Sequence, residues 1–197
     1  LLDPTDFKVS AGSSAASASG IGASTLAANL QNGNVTLQTV SSGSANGDIN
    51  VDAAVSWSAD TTLTLNAHGD LYLNAPITAT GNSAGLALNY GGYVQNGSVA
   101  GSSDYHVNAP VTLSGSNASL NINGQAYTLI HSLADASLSA PGYYALAQDI
   151  DLGGVTRTSA LFSSFNGKLA GLGHSFNNLT IAGASGYVGL FGTTSSN

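Results

Sequence analysis

Hydrophobic and polar residues alternate in short runs along most of this chain. A period of two is typical of a β-strand with one buried face. No helical period competes with it in five such runs: Ile49/Val51, Leu63/Leu65, Leu71/Leu73, Leu86/Leu88 and Leu120/Ile122. Between the runs lie Gly, Asn, Asp, Ser and Pro, residues that favour turns. The pattern predicts short strands joined by tight corners.

The runs belong to a longer unit that recurs three times, beginning at Asp48, Asp70 and Asp104. The interval between the first two copies is about 22 residues, and a near-constant period of this size is the mark of a solenoid. The interval from the second copy to the third is longer, so the third has gained a loop. If each strand pairs with its equivalent one turn on, the fold is all-β, a right-handed parallel β-helix (β-solenoid) of roughly seven to eight coils.

The chain is predicted to have three regions. Residues 1–33 form an opening segment in which a short helix over 24–30 has Ser24 as N-cap and Gly33 near its end. Residues 34–124 are repeating β-helix coils of about 22 residues with a loop insertion at 91–103. In 125–197 aromatic residues become more frequent, and we interpret this region as a wider continuation of the β-helix. Because the chain opens without an initiator Met, we expect it to be a fragment of a larger protein.

The charge pattern fits stacked coils. Only 7% of residues are charged, with ten aspartates and no glutamate. Equivalent side chains of a β-helix lie above one another, where like charges repel while Asn, Ser and Thr form hydrogen-bonded ladders. A net charge of -7 with three cationic side chains argues against a nucleic-acid partner. The absence of cysteine excludes disulfides and thiol chemistry. No apolar run approaches the roughly 18 residues of a membrane span.

Two motifs suggest catalytic chemistry. Residues 81–85, Gly-Asn-Ser-Ala-Gly, match the Gly-x-Ser-x-Gly nucleophile pattern, but the elbow needs a following helix and the next residues alternate like a strand. We therefore predict a corner. Asp149 and Asp151 place two carboxylates on one strand face, as at the start of a glycosidase or lyase site. Arg157 and Lys168 are the only basic residues nearby and no acidic cluster joins them, so we predict turn capping.

The remaining candidates also favour structural roles. Trp57 takes the position of Ala79 and Leu113 in the other coils and is predicted to lie in the core. Corner or solvent-facing positions are predicted for the four histidines, which lack metal-ligand spacing: His68, His106, His131 and His174. We predict no catalytic, metal-binding or cofactor-binding residue and no cofactor. Glycosylation stays open at four Asn-x-Ser/Thr sequons: Asn34, Asn96, Asn117 and Asn178.

Several segments carry a family resemblance. Residues 33–39, 47–81 and 127–154 resemble the repetitive exoproteins of the filamentous haemagglutinin and haem/haemopexin-utilisation adhesin family. Residues 165–196 are similar to the GLUG motif, named for a Gly-Leu-any-Gly centre, found in the same secreted bacterial proteins. The resemblance implies a β-helical shaft of a large adhesin, secreted or displayed on the bacterial cell surface after two-partner secretion through an outer-membrane transporter.

The favoured function is therefore structural and adhesive, not enzymatic: a rigid shaft that contacts a host cell surface, matrix or glycan, or projects a distal tip. The alternatives are a carbohydrate-active β-helix enzyme and a self-assembling extracellular filament subunit. Loops on rigid scaffolds often carry recognition, so the insertion at 91–103 is the predicted partner-contact loop. A neutral insertion or a flap is the alternative for this loop. Its predicted contact residues are Tyr90, Tyr93, Gln95 and Asn96.

Overall fold

The structure is a computed structural model that describes residues 6–40, 46–92, 103–133, 142–182 and 188–194. Strands account for 47% of the residues and helix for 6%, and the strands form parallel sheets. The prediction of an all-β fold is confirmed at this level. The chain divides into two compact units, residues 1–126 and 127–197. We call them unit 1 and unit 2.

Unit 1 is built from short strands whose apolar residues alternate with polar ones. Its strands are β1 (Phe7–Ser10), β2 (Gly20–Gly22), β3 (Val35–Gln38), β4 (Ile49–Val51), β5 (Val55–Trp57), β6 (Thr62–Asn66), β7 (Leu71–Leu73), β8 (Ile77–Ala79), β9 (Gly85–Asn89), β10 (Tyr105–Val107), β11 (Val111–Leu113) and β12 (Ser119–Ile122). Corner residues separate each strand from the next, as the sequence predicts.

These strands form three sheets. The first has the order β10-β7-β4-β1-β2, the second β11-β8-β5, and the third contains β12-β9-β6-β3. Leu71 pairs with Ile49 of the preceding repeat on one side and with Tyr105 of the following repeat on the other. Equivalent strands of successive repeats therefore pair in parallel, and this prediction is confirmed.

The inward positions of these strands make the core of unit 1. Leu73 and Leu88 are fully buried, whereas Tyr72 and Ala87, one position earlier on the same strands, are partly exposed. Trp57 is 1% exposed and pairs with Ala79, as predicted. A one-residue slip would turn every one of these side chains to the opposite face, so burial fixes the register.

The single helix of the described chain, α1 (Ala23–Leu30), covers one end of the second sheet. Leu26 and Leu30 are fully buried, and the helix packs mainly against β5. The prediction that Ser24 is the N-cap is wrong, because Gly22 holds that position in an extended conformation without a side-chain cap. Instead, the carbonyl oxygen of Gly12 accepts the N–H of Ser24 (3.0 Å). A backbone group thus replaces the side-chain cap of an isolated helix.

Unit 2 also contains parallel strand pairs. The strands from Gln125 onward are β13 (Gln125–Ile130), β14 (Gly142–Leu146), β15 (Ile150–Asp151), β16 (Thr156–Arg157), β17 (Phe162–Phe165), β18 (Gly167–Ala170), β19 (Phe176–Asn177), β20 (Thr180–Ile181) and β21 (Phe191–Thr194). Parallel pairs join β13 to β14, β14 to β18, β15 to β19, β16 to β20 and β17 to β21. Phe162 and Phe165 lie in a core cluster, and the ring of Phe191 packs against both.

Candidate functional site

A ladder of aspartates runs along the corner that precedes the first sheet. Oδ1 of Asp6 accepts the N–H of Asp48 (2.9 Å), Oδ1 of Asp48 accepts the N–H of Asp70 (2.8 Å), and Oδ1 of Asp70 accepts the N–H of Asp104 (2.9 Å). Each carboxylate therefore binds the backbone of the next coil. The aspartate that begins every repeat has a structural role, because it satisfies a corner N–H that the strand ladder leaves without a partner.

The electrostatics of Asp70 follow from this arrangement. Burial alone would raise the pKa of Asp70, but the N–H of Asp104, the hydroxyl of Tyr72 and the nearby His106 together hold it below its ordinary value. The hydroxyl of Tyr72 donates to Oδ2 of Asp70 (3.1 Å), and this bond raises the pKa of Tyr72. At neutral pH the carboxylate is therefore ionised, and it acts as a hydrogen-bond acceptor.

A second ladder runs along the corner at the end of the first sheet's strands. The side-chain amide of Asn74 donates to Oδ1 of Asp52 (2.7 Å), and that of Asn108 donates to Oδ1 of Asn74 (2.7 Å). Nζ of Lys8 lies 2.7 Å from the other oxygen of Asp52. The hydrogen bond from the Asn74 amide, and to a smaller degree the contact with Lys8, hold the pKa of Asp52 below its ordinary value. This row ties four coils together through side chains.

Aromatic rings lie on the outer face of the same sheet. The rings of Tyr72 and His106 are stacked, with centroids 4.7 Å apart and an interplanar angle of 14°. Nε2 of His106 is 3.7 Å from Oδ2 of Asp70. Lys8, Asn50, Tyr72 and His106 occupy one row of the sheet. His106 thus lies on the outer face of the strand, in the same row as Asn50 and Tyr72.

The Gly-x-Ser-x-Gly segment is a corner between β8 and β9, as predicted. The N–H of Ala84 donates to the carbonyl of Gly81 (3.2 Å), and the N–H of Ser83 donates to Oδ1 of Asp60 (2.8 Å). A strand, not a helix, follows. Among the residues that the structure describes, no histidine bonds to the Ser83 hydroxyl, so the arrangement of a serine nucleophile is not assembled.

Asp149 and Asp151 accept hydrogen bonds from polar groups of unit 2. Oδ1 of Asp149 accepts the N–H of Ser175 (2.8 Å), and Oδ1 of Asp151 accepts the N–H of Gly153 (2.9 Å) and the amide of Asn178 (2.7 Å). The Ser175 N–H lowers the pKa of Asp149, and the Asn178 amide lowers that of Asp151. Neither carboxyl has the raised pKa that a general acid needs. The predicted turn-capping role is confirmed for Asp151, which accepts the N–H two residues on, whereas Asp149 binds the residue that precedes β19, the strand paired with β15.

The basic residues of unit 2 do not join these carboxylates. Nζ of Lys168 lies over the ring of Tyr143, 5.5 Å from its centroid. Arg157 pairs with Ile181 through β16 and β20. Within the described ranges, neither residue forms an ion pair with Asp149 or Asp151. The cluster of acidic and basic groups required to bind and cleave an acidic polysaccharide is not brought together among these residues.

The histidines occupy separate settings. His68 is exposed at a corner, where its backbone N–H donates to the hydroxyl of Thr39 (3.0 Å). His174 follows a turn, but its side chain is only 5% exposed, with Nδ1 3.5 Å from Oδ1 of Asp149. This residue thus has the predicted corner position without the solvent exposure. Over the described ranges, no three His or Asp side chains are grouped so that they could hold a metal ion.

The predicted contact loop is only partly described. Tyr90 lies at its start, where its N–H donates to Oδ1 of Asn123 (2.9 Å) and its ring centroid is 5.6 Å from that of Tyr105. Tyr90 is half-buried by these contacts. Tyr93, Gln95 and Asn96 lie outside the described residues, so the loop stays a prediction.

The described sequons differ in their side-chain contacts. Oδ1 of Asn34 accepts the N–H of Thr62 (2.8 Å), and the amide of Asn178 donates to Asp151. Asn117 is exposed, and among the described residues its side chain has no hydrogen-bond partner. Asn96 lies outside the described residues. Whether any of the four is glycosylated stays open.

The comparisons with known proteins add no relative. No family model, curated protein or solved structure matches the chain. None of the described helices has the length and apolar character needed to cross a membrane. The family resemblance therefore stays a prediction that rests on the repeats and motifs of the sequence.

Proposed function

We propose that this chain is a β-helical shaft segment of a large secreted or surface-displayed bacterial adhesin of the filamentous haemagglutinin type. Its strands stack as a right-handed parallel β-helix of roughly seven to eight coils. The shaft is exported through an outer-membrane transporter and serves attachment, by contacting a host surface or by projecting a distal tip. It has no catalytic role of its own.

The observation that carries the proposal is the parallel register, which is kept across both the shorter and the longer repeat interval. The aspartate and asparagine ladders add side-chain bonds between the same coils. In such a stack each coil contacts only the coils next to it, so the fold is elongated along one axis. An elongated fold is suited to act as a spacer.

The enzymatic alternative requires free acidic groups beside basic ones. The two carboxylates that prompted it, Asp149 and Asp151, accept hydrogen bonds from backbone N–H groups and have lowered pKa values. We therefore prefer the structural and adhesive function. The loop at 91–103, with Tyr90, Tyr93, Gln95 and Asn96, is proposed as the contact surface, because an insertion into a stacked coil can vary without disturbing the stack.

A bead-attachment assay tests the adhesive part of the proposal. Beads coated with the chain are expected to attach saturably to host-cell monolayers or to immobilised matrix glycans. A variant in which 93–102 is replaced by a Gly/Ser segment of equal length should lose attachment while keeping its melting temperature. The replacement keeps the length of the loop and changes only its side chains. Attachment that survives the replacement would place the contact elsewhere, and no attachment of the unmodified chain would refute an adhesive role for this segment.

A second assay separates the shaft from the enzyme. The chain is incubated with a panel of neutral and acidic polysaccharides, and the release of reducing ends is measured. We expect no release. Cleavage that disappears in the Asp149→Asn variant would contradict the proposal and favour the carbohydrate-active alternative.

A further inference from the structure

Several asparagines of this chain are followed directly by glycine. In such a pair the backbone nitrogen of the glycine can attack the side-chain amide of the asparagine, because glycine has no Cβ to hinder a close approach. The structure describes Asn32-Gly33, Asn46-Gly47, Asn123-Gly124 and Asn166-Gly167, whereas Asn96-Gly97 lies outside the described residues. The described pairs share one reactive sequence and differ only in their surroundings.

In the first two pairs the attacking nitrogen is already bonded. The N–H of Gly33 donates to the carbonyl of Asn29 (3.1 Å) just after α1, and that of Gly47 donates to Oδ1 of Asp6 (3.1 Å). A nitrogen in such a bond has to lose its acceptor before it can react, which adds to the barrier. These two pairs are therefore protected.

The pair in unit 2 is held by a neighbouring strand. Gly167 belongs to β18 and stands opposite Gly142 of β14, so close that a Cβ on Gly167 would lie 2.4 Å from the carbonyl oxygen of Gly142. Oδ1 of Asn166 is buried and, over the described ranges, has no hydrogen-bond donor. This amide oxygen thus lacks a group that could stabilise negative charge on it.

The turn between β12 and β13 leaves its glycine nitrogen without a partner. Asn123 and Gly124, with φ of 48° and 79°, are the two residues that connect these strands. Gly124 is exposed, and no oxygen in the part of the chain that the structure describes accepts its N–H. No hydrogen bond has to break before this nitrogen can move.

The amide oxygen of Asn123, in contrast to that of Asn166, has a donor beside it. Oδ1 of Asn123 accepts the backbone N–H of Tyr90 (2.9 Å), and the N–H of Asn123 donates to the carbonyl of Leu88 (2.9 Å). Attack on Cγ would place negative charge on Oδ1. A backbone N–H at about 2.7 to 3.1 Å is the arrangement that stabilises such an oxyanion in acyl transfer. This turn therefore combines an available nucleophile with a stabilised amide oxygen.

We propose that Asn123 is a site of spontaneous deamidation and reacts first among the described Asn-Gly pairs. Hydroxide takes the proton of the Gly124 nitrogen, which then forms a bond to Cγ of Asn123. The bond from Cγ to Nδ2 breaks, and the leaving nitrogen takes a proton from water and departs as ammonia. Water opens the resulting succinimide ring at either carbonyl, which gives aspartate or isoaspartate. The proposal does not depend on the adhesive function.

The isoaspartate product would change the base of the insertion at 91–103. In this product the main chain runs through Cγ, so the turn gains one carbon and the oxygen that binds Tyr90 becomes a main-chain carbonyl. A two-residue turn has little room for added length. We therefore expect the Tyr90 bond to be lost, and the reaction is a slow covalent change beside the first residue of the insertion.

The test compares the described pairs within one sample. The full chain is kept at mildly alkaline pH, digested, and analysed by mass spectrometry with separation of the aspartate and isoaspartate peptides. Asn32 and Asn46 should react about fivefold more slowly than Asn123, or slower still, because their glycine nitrogens are bonded. In urea that unfolds the chain, this preference should disappear. A rate at Asn123 that does not exceed the other described rates, or an equal preference in urea, would overturn the proposal.

Two variants test the donor at the amide oxygen. Tyr90→Pro removes the N–H that bonds to Oδ1 of Asn123, and it should slow the reaction about tenfold or more. Tyr90→Ala removes the ring but keeps the N–H, and it should change the rate by no more than about twofold. Equal rates in the two variants would overturn the role of this N–H. The comparison within the unmodified chain decides the site of reaction even if the proline variant does not fold.

Discussion

Replacing Leu73 by Ala should destabilise unit 1 far more than replacing its neighbour Tyr72 by Ser. Leu73 is fully buried and lies between Val51 and Val107 in the first sheet. Leu→Ala removes three carbon groups from the core, about 2.4 kcal/mol at roughly 0.8 kcal/mol each, and leaves a cavity. Because the parallel neighbours restrict collapse, the expected total is about 3 to 4 kcal/mol.

Tyr72→Ser is the matched control, since the two positions are adjacent on one strand and face opposite ways. It removes a partly exposed ring, its stack on His106 and its hydroxyl bond to Asp70. The stack and the hydroxyl bond each contribute about 0.5 to 1 kcal/mol, so the loss should be about 1 to 2 kcal/mol. The pair should therefore differ by roughly 2 kcal/mol.

Urea unfolding followed by Trp57 fluorescence measures both variants. Trp57 is the only tryptophan of the chain, is 1% exposed, and donates its indole N–H to the carbonyl of Thr61 (3.1 Å). Its emission thus reports the packing of unit 1. With a slope of about 2 kcal/mol per molar urea, Leu73→Ala should lower the midpoint by roughly 1.5 to 2 M. Equal losses in the two variants would show that the faces are assigned the wrong way round.

Three further outcomes are expected. The free energy of unfolding should fall as the pH drops below 3.8, the ordinary pKa of a carboxyl group, because the lowered pKa of Asp70 stabilises the folded chain above that pH and this contribution is lost on protonation. In an acid titration, Asp70→Asn, which keeps an Oδ1 acceptor, should show a shallower fall. An unchanged slope would argue against a role for this charge. Gly81→Ala should lower the thermal midpoint and the free energy of unfolding, the latter by about 2 kcal/mol or more, because the added Cβ would collide with the carbonyl oxygen of Ala59. Gly33 has open space around it, so Gly33→Ala should leave the free energy of unfolding unchanged or raise it by up to about 1 kcal/mol. Similar losses in both variants would contradict the corner packing. Circular dichroism should show a strand-dominated spectrum, and helix above about a quarter would refute the all-β assignment.

The repeats made unit 1 predictable from sequence. The period of two selects strands, and the recurrence of the unit that begins at Asp48 and Asp70 places Leu71 opposite Ile49. The alternative register would bury Asn50 and Tyr72 and expose the leucines, so the pattern leaves one arrangement. Local sequence could not identify the helix cap, because the carbonyl that replaces it comes from Gly12, a residue outside the helix.

Unit 2 was less predictable because its strands do not repeat a sequence. Several strands are very short, such as Thr156–Arg157, and its aromatic core pairs Phe162 with Phe191, which lies far along the chain. A clear local signal lies just before unit 2, where Asn123 and Gly124 have φ of 48° and 79°. An Asn-Gly pair with two positive φ angles is the typical central pair of a type I′ turn.

The aspartate ladder shows where reasoning from charge alone fails. Low charge suits stacked coils, yet the repeats place Asp48, Asp70 and Asp104 in one row. Two unit charges one strand spacing apart, about 4.8 Å, repel by roughly 1 kcal/mol in water, and salt reduces this further. A hydrogen bond from a backbone N–H to a charged acceptor contributes about 1.5 to 3 kcal/mol. Because Asp48 and Asp70 each gain such a bond from the next coil, and Asp104 gains one from the N–H of Tyr105, attraction outweighs repulsion and the row is stable.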